Sequence, residues 1–356
     1  MNSANFNVKN KIVAERFKFL IEVLIVFLGI FLFLLIPRAL LPLFIDTNSI
    51  IYGPLYYLLR AVAIIIAIPL VLYITQHILE SPKKNEIIEE EINPAISYLK
   101  LYSTPEDTFK SQLLYGILLL FIVFIPLDFF VYFFCPIMLE YTGVALTSQP
   151  TDTYLLKSYF IFLVSVIIIQ ISVSIYEESV TRGFLTMRGK EYFHRMSAVM
   201  ISSLYFGLMH FAYYLNPVSR NYPFWFPFIW FLQTFLVAIL LSILVLRKKS
   251  LFPVIFAHAL NNIISAHAVW NYLQGNDFIL VTVYLYIPLM IIGVFLFIWK
   301  FSIIKTGISF VSNDIREYFT LDKKLGESKG DLYFRILIDL FIGIIILAIG
   351  LFIFGV

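Results

Sequence analysis

The sequence predicts an all-α, polytopic membrane protein with about nine transmembrane helices and a cytoplasmic N-terminus. Three observations predict it. Of 356 residues, 60% are apolar and 14% charged, whereas soluble domains carry roughly 25% charged residues. The mean hydropathy is +0.89, and the apolar residues gather into runs of the length, about 20 residues, that a bilayer requires. Lys and Arg fall in alternate loops, as expected when basic residues stay on the cytoplasmic side. The same figures exclude a soluble enzyme, a disordered chain and a nucleic-acid-binding domain. The 37 Phe and 22 Tyr suit a lipid-facing surface with aromatic belts. The single Cys135 excludes an internal disulfide and a cysteine-based metal cluster.

Residues 1–16 are polar, precede the first apolar run and lack a small-residue cleavage pattern, so the start of the chain does not read as a cleavable signal. The predicted spans are roughly 19–37, 54–77, 113–134, 155–176, 198–215, 224–246, 251–270, 278–299 and 336–356. Charge bounds several of them. Nothing is charged from Ser158 to Tyr176, from Asn221 to Leu246, from Ser250 to Asn276, or from Phe278 to Trp299. With the N-terminus inside, 22 of the 26 Lys and Arg fall on the inner side; Arg38, Arg60, Lys157 and Arg220 are the four outside or towards the outer end of a helix. Two inner stretches are long, 79–112 and 300–335, and read as solvated or amphipathic connectors. The chain divides into an N-terminal part with the first three helices (1–153), a central part with helices four to eight (154–300), and a final connector and helix (301–356).

Ionisable side chains inside a bilayer are costly, so each is a functional candidate by default. Glu22 and Asp339 lie one turn from Lys18 and Arg335, where ion pairs within each helix are expected. Arg60 can reach outward to the interface. Asp128 is isolated and is read as structural. His267, His194 and His77 lie at or near interfaces.

The remaining groups concentrate in three places: Glu177-Glu178 with Arg182 on the fourth span, Phe206 with His210 on the fifth, and His258 with Asn262 on the seventh. Residues four apart share a helix face, so Glu178 and Arg182 are expected to pair. Glu177 points about 100° away from Glu178 and is left free to face a cavity. His258 and Asn262 share a face and can direct donors at one point. At 1.5 Å per residue, Glu177 and His210 lie about 16 Å, and His258 about 13 Å, from the basic ends of their spans. A polar site of carboxylate, two imidazoles and an amide is therefore expected in the cytoplasmic half, open towards the cytoplasm.

In this order, the three patterns resemble the EExxxR, FxxxH and HxxxN motifs of the CPBP (CAAX protease and bacteriocin-processing, or Abi) family of intramembrane proteases. The resemblance spans roughly residues 155–270. It implies a glutamate-dependent endopeptidase in which Glu177 and His210 activate water and His258 and Asn262 stabilise the oxyanion. Glu178 and Arg182, with Phe206, then support the site and aim Glu177. No HExxH, GxSG or GxGD motif supports another intramembrane protease chemistry. No cofactor is expected, although Glu177, His210 and His258 are suitable zinc ligands and a zinc-dependent protease is the alternative.

Two other classes compete: an inactive immunity or scaffold protein of the same fold, and a transporter, whose polar groups would line both leaflets. The expected partners are the bilayer of a cell membrane and a membrane-associated peptide or protein, cleaved near the cytoplasmic face. Relatives process prenylated CAAX proteins, bacteriocin leaders and signalling-peptide precursors; neither a choice among these nor an oligomeric state is specified.

Overall fold

The computed structural model describes residues 3–79, 93–211, 220–323 and 326–354. Among these, every regular element is helical. Helix α1 (Ser3–Leu35) continues through a π turn, Ile36–Leu40, to Phe44. It is followed by α2 (Tyr52–Leu79), α3 (Pro94–Lys100), α4 (Glu106–Phe134), α5 (Ile137–Thr147), α6 (Tyr159–Tyr192) and α7 (Arg195–Phe211). The last five are α8 (Phe226–Lys248), α9 (Phe252–Leu273), α10 (Phe278–Trp299), α11 (Phe301–Tyr318) and α12 (Lys329–Phe354).

Eight of the described helices are long and apolar enough to cross a membrane, which makes this a multi-pass membrane protein. The expected count of nine differs at segment 198–215, which forms α7. This helix has 17 residues, fewer than the roughly 20 a span needs, and residues 212–215 lie outside the described ones. Its surroundings are protein: Ser197, Ser202 and Ser203 are buried along with most of its apolar residues. It packs against α8, α12 and the lower part of α6. Small and hydroxylated residues let helices approach closely in membranes, and Gly207 shows this directly. A Cβ there would lie 2.9 Å from Phe235 Cβ on α8. The rest of the bundle pairs α1 with α2 and α12, α2 with α6, and α9 with α6 and α4.

One end of the bundle is tied by ion pairs between elements remote in sequence. Arg16 meets Asp339 at 3.0 Å, Arg188 meets Glu22 at 2.7 Å, and Arg247 meets Asp314 at 2.8 Å. The pairs expected within single helices, Lys18 with Glu22 and Arg335 with Asp339, do not form. Lys18 is exposed while Glu22 is buried, and Arg335 is taken by Glu327 at 2.7 Å. A carboxylate buried by packing takes the guanidinium that packing brings to it, because an unpaired buried charge is costly.

The connectors carry structure of their own. Asn93 caps α3 by accepting from Ala95 N at 2.9 Å, with Pro94 at the first helical position, where the missing N–H costs nothing. Helix α11 exposes Phe301, Ile308 and Phe310 and is anchored through Asp314, in keeping with an interfacial amphipathic helix. Residues 80–92, which include Glu86, Glu89, Glu90 and Glu91, lie outside the described ones.

Candidate active site

The site is built around a change of helix type. The regular α-helical part of α6 ends at Glu178, and Ser179–Thr186 is a π segment. Every residue of that segment is buried. A π turn leaves backbone groups poorly matched, and such turns occur often at functional sites. Hydroxyl groups make good the mismatch: Thr181 donates to the Glu177 carbonyl, and Ser202 from α7 donates to the Thr181 carbonyl at 2.7 Å. The Ser/Thr-rich sequence after the two glutamates therefore supports the distorted backbone.

The two glutamates meet different surroundings. Glu178 is fully buried, and its Oε1 accepts from Arg182 Nη1 at 2.9 Å and from His258 Nδ1 at 2.8 Å. Arg182 is likewise fully buried; its guanidinium lies 4.2 Å from the centre of the Phe206 ring and also donates to Thr181 Oγ1 at 2.8 Å. Glu177 faces the other way and keeps 22% side-chain exposure. Tyr176 donates to its Oε1 at 3.3 Å, and His258 Nε2 lies 3.6 Å from its Oε2. His258 thus stands between both carboxylates.

The hydrogen bonds constrain both imidazoles. His210 Nδ1 is 2.9 Å from the Phe206 carbonyl. A carbonyl only accepts, so Nδ1 carries the proton and the neutral ring presents Nε2 as an acceptor. His258 Nδ1 faces a carboxylate, so it too is a donor; its Nε2 donates only when the ring carries both protons. Phe206 holds the rings in place, with centroids 4.9 Å from His210 and 6.1 Å from His258. Phe124 stacks on His258 at 6.1 Å.

Glu177, His210, His258 and Asn262 all line one cavity of about 210 Å³. Asn262 makes no hydrogen bond among the described residues and is free to donate into it. The cavity extends from Glu177 towards Met138, Thr142 and Asp152, which lie on the loop side opposite the ion-paired end. This departs from the expectation of a site open towards the Lys/Arg-rich side. The reason is a plug at that end. Helix α3 packs there, Tyr98 and Tyr102 share a hydrogen bond of 2.9 Å, Tyr102 bonds to Ser179, and Leu251 N donates to Leu101 O at 2.8 Å. A smaller cavity, about 90 Å³, lies on the other side of Glu177 and His210 and reaches Arg60.

Two groups set aside in the sequence belong to these cavities. Asp128 is not isolated: Gln233 on α8 donates to it at 2.8 Å, and Asn261 and Ser265 on α9 lie beside it. Tyr132 shares a hydrogen bond of 2.7 Å with Ser265. Arg60 does not reach the interface; its guanidinium lies 4.2 Å from the centre of the Tyr176 ring. A charged or amide side chain in mid-span was the available signal for Asp128, Gln233 and Arg60, but their partners lie on other helices. No group of three His, Cys, Asp or Glu suited to a metal occurs among the described residues.

The fold and the site define a class: a polytopic helical membrane protein with a glutamate–histidine cluster buried among its helices. Residues 159–264 match the family model described as Rce1-like, type II CAAX prenyl endopeptidase Rce1-like. That stretch contains all three motifs, and the match is consistent with a CPBP-family protein and supports the fold of an intramembrane CAAX-type protease. No curated protein and no solved structure matches this chain.

Proposed function

We propose that this protein is a glutamate-dependent intramembrane endopeptidase that cleaves a membrane-associated peptide or protein in the membrane of the cell. The observation that carries the reading is the convergence of Glu177, His210, His258 and Asn262 on one cavity, although they come from three helices. Glu177, with the acceptor Nε2 of His210, takes a proton from water, and the resulting hydroxide attacks the scissile carbonyl. His258 Nε2–H and the Asn262 amide donate to the oxyanion; such donors, fixed in a water-poor site, stabilise developing charge strongly. Collapse of the intermediate expels the amine, which receives the proton held by Glu177 and His210. Glu178 and Arg182 act one layer back: Glu178 fixes the orientation of the His258 ring through Nδ1, and the Arg182 guanidinium neutralises Glu178.

The substrate class suggested by the family description is a prenylated CAAX peptide. The test is cleavage of a farnesylated CAAX peptide by the purified protein in lipid nanodiscs, with chelator present and Glu177→Gln as the control. Cleavage by the parent protein alone supports the reading. Cleavage by both proteins removes Glu177 from the chemistry, and cleavage by neither favours an inactive immunity or scaffold protein of the same fold. Activity lost on dialysis against chelator and restored only by zinc would favour the metalloprotease.

A further inference from the structure

Arg60 lies eight residues into α2, about 12 Å along the helix, on a segment with no other charged side chain from Tyr52 to Gln76. Its Nε is buried without a hydrogen-bond partner. No carboxylate among the described residues lies within ion-pair distance of it, whereas Arg16, Arg182, Arg188, Arg247 and Arg335 each meet one. An uncompensated cation at membrane depth is costly and needs a reason. Stacking on Tyr176, the neighbour of Glu177, holds the guanidinium beside the candidate site without neutralising it.

The two cavities supply the reason. Tyr176, Glu177, Phe206 and His210 line both. A peptide whose scissile carbonyl sits at Glu177 therefore has one flank in each cavity. The smaller cavity has apolar walls, including Leu34, Ile64, Val180 and Met209, and one cation, Arg60. This combination suits a short apolar segment bearing a carboxylate, which a planar guanidinium binds with two parallel hydrogen bonds.

Resting on the peptidase reading above, we propose that Arg60 is a specificity-determining residue that binds a carboxylate of the substrate in the smaller cavity, either the chain terminus or an acidic side chain close to the scissile bond.

The test uses the full-length protein in nanodiscs and an N-terminally fluorescent, farnesylated tetrapeptide, cysteine–valine–isoleucine–serine, as the free acid and as the carboxamide. Affinity is measured by anisotropy on Glu177→Gln protein, where turnover does not interfere. A charged hydrogen-bonding pair makes the acid bind about 10- to 100-fold tighter than the amide. Adding Arg60→Gln should bring that ratio close to one, and Arg60→Lys should keep part of it. A carboxamide peptide ending in aspartate separates the sources: tight binding assigns the carboxylate to a side chain, weak binding to the chain terminus. Equal affinity for acid and amide, binding of neither, or a ratio unchanged by Arg60→Gln overturns the proposal. Turnover of the same peptides by the parent protein separates the two readings. Arg60-dependent binding without turnover sinks the peptidase alone, and turnover without a preference for the acid sinks the role of Arg60 alone.

Discussion

Glu177 and Glu178 are consecutive, yet one faces a cavity and the other is sealed between Arg182 and His258. Their substitutions should therefore fail in different ways. Glu177→Gln keeps size and removes the proton acceptor; peptide cleavage should fall by about 10²–10⁴-fold, with the thermal midpoint in detergent and the expression level held. Glu177→Gln combined with His210→Ala should be little worse than either alone, because groups that act as a unit are not additive. Glu178→Gln strands a fully buried guanidinium and weakens the hold on His258. A buried pair broken on one side costs about 3–5 kcal/mol, so a clear drop in the denaturation midpoint is expected, with partial recovery when Arg182→Met is added. A fully active Glu177→Gln protein, or a Glu178→Gln protein that is inactive but normally stable, would reverse the two assignments. The 100° divergence was legible in the sequence because it follows from helix pitch alone. The bond from His258 to Glu178 was not, since it joins residues 80 apart.

At the scale of elements, α7 depends on close approach. Gly207→Ala would place a methyl group 2.9 Å from Phe235 Cβ and 3.1 Å from the Phe231 ring. Overpacking of this kind costs about 1–3 kcal/mol. It should lower the thermal midpoint and reduce cleavage, because His210 lies one turn further along the same helix. The 3₁₀ turn Pro150–Leu156 gives a pH signature. Burial pushes the Asp152 carboxyl up to about 7 from its usual 3.8, against hydrogen bonds from Thr151 and Tyr57 that lower it. The folded protein therefore binds a proton that the unfolded chain has released, and stability falls as pH rises between about 4 and 7, then levels off. Thermal midpoints across that range should show the decline, and Asp152→Asn should flatten it; an unchanged slope would place the effect on another group. The 3.6-residue period carried no sign of this turn, because its burial is created by α2 and α6 packing over it.

For the whole molecule, Cys135 offers a direct check on the orientation expected from the basic residues. As the single cysteine, partly exposed at the end of α4, it lies on the side opposite the Lys/Arg-rich loops. With the N-terminus cytoplasmic, a membrane-impermeant maleimide should label it in intact cells without permeabilisation. Labelling only after lysis would invert the topology and place the mouth of the larger cavity on the inner side. The ion-paired end of the bundle gives a second global expectation. Asp314 joins Arg247 on α8 and Arg195 on α7 to α11. Asp314→Ala should therefore raise amide exchange across 301–318 while leaving α8 and α9 protected.

The sequence by itself determined the helical membrane class, most of the span positions, the three motifs and the divergence of the two glutamates. Each of these rests on composition, run length or spacing within one helix, and such quantities are local. The tertiary structure decided what the polar groups touch. It sent Glu22 to Arg188 rather than Lys18, gave Asp128 the amide of Gln233, and left Arg60 beside Tyr176 without an acid. It also enclosed α7 within protein and placed the larger cavity on the side away from the Lys/Arg-rich loops. In a bilayer a buried charge or amide must find its partner on a neighbouring helix, and helix neighbours are fixed by side-chain packing between segments far apart in the chain. Periodicity within one segment carries no information about that choice.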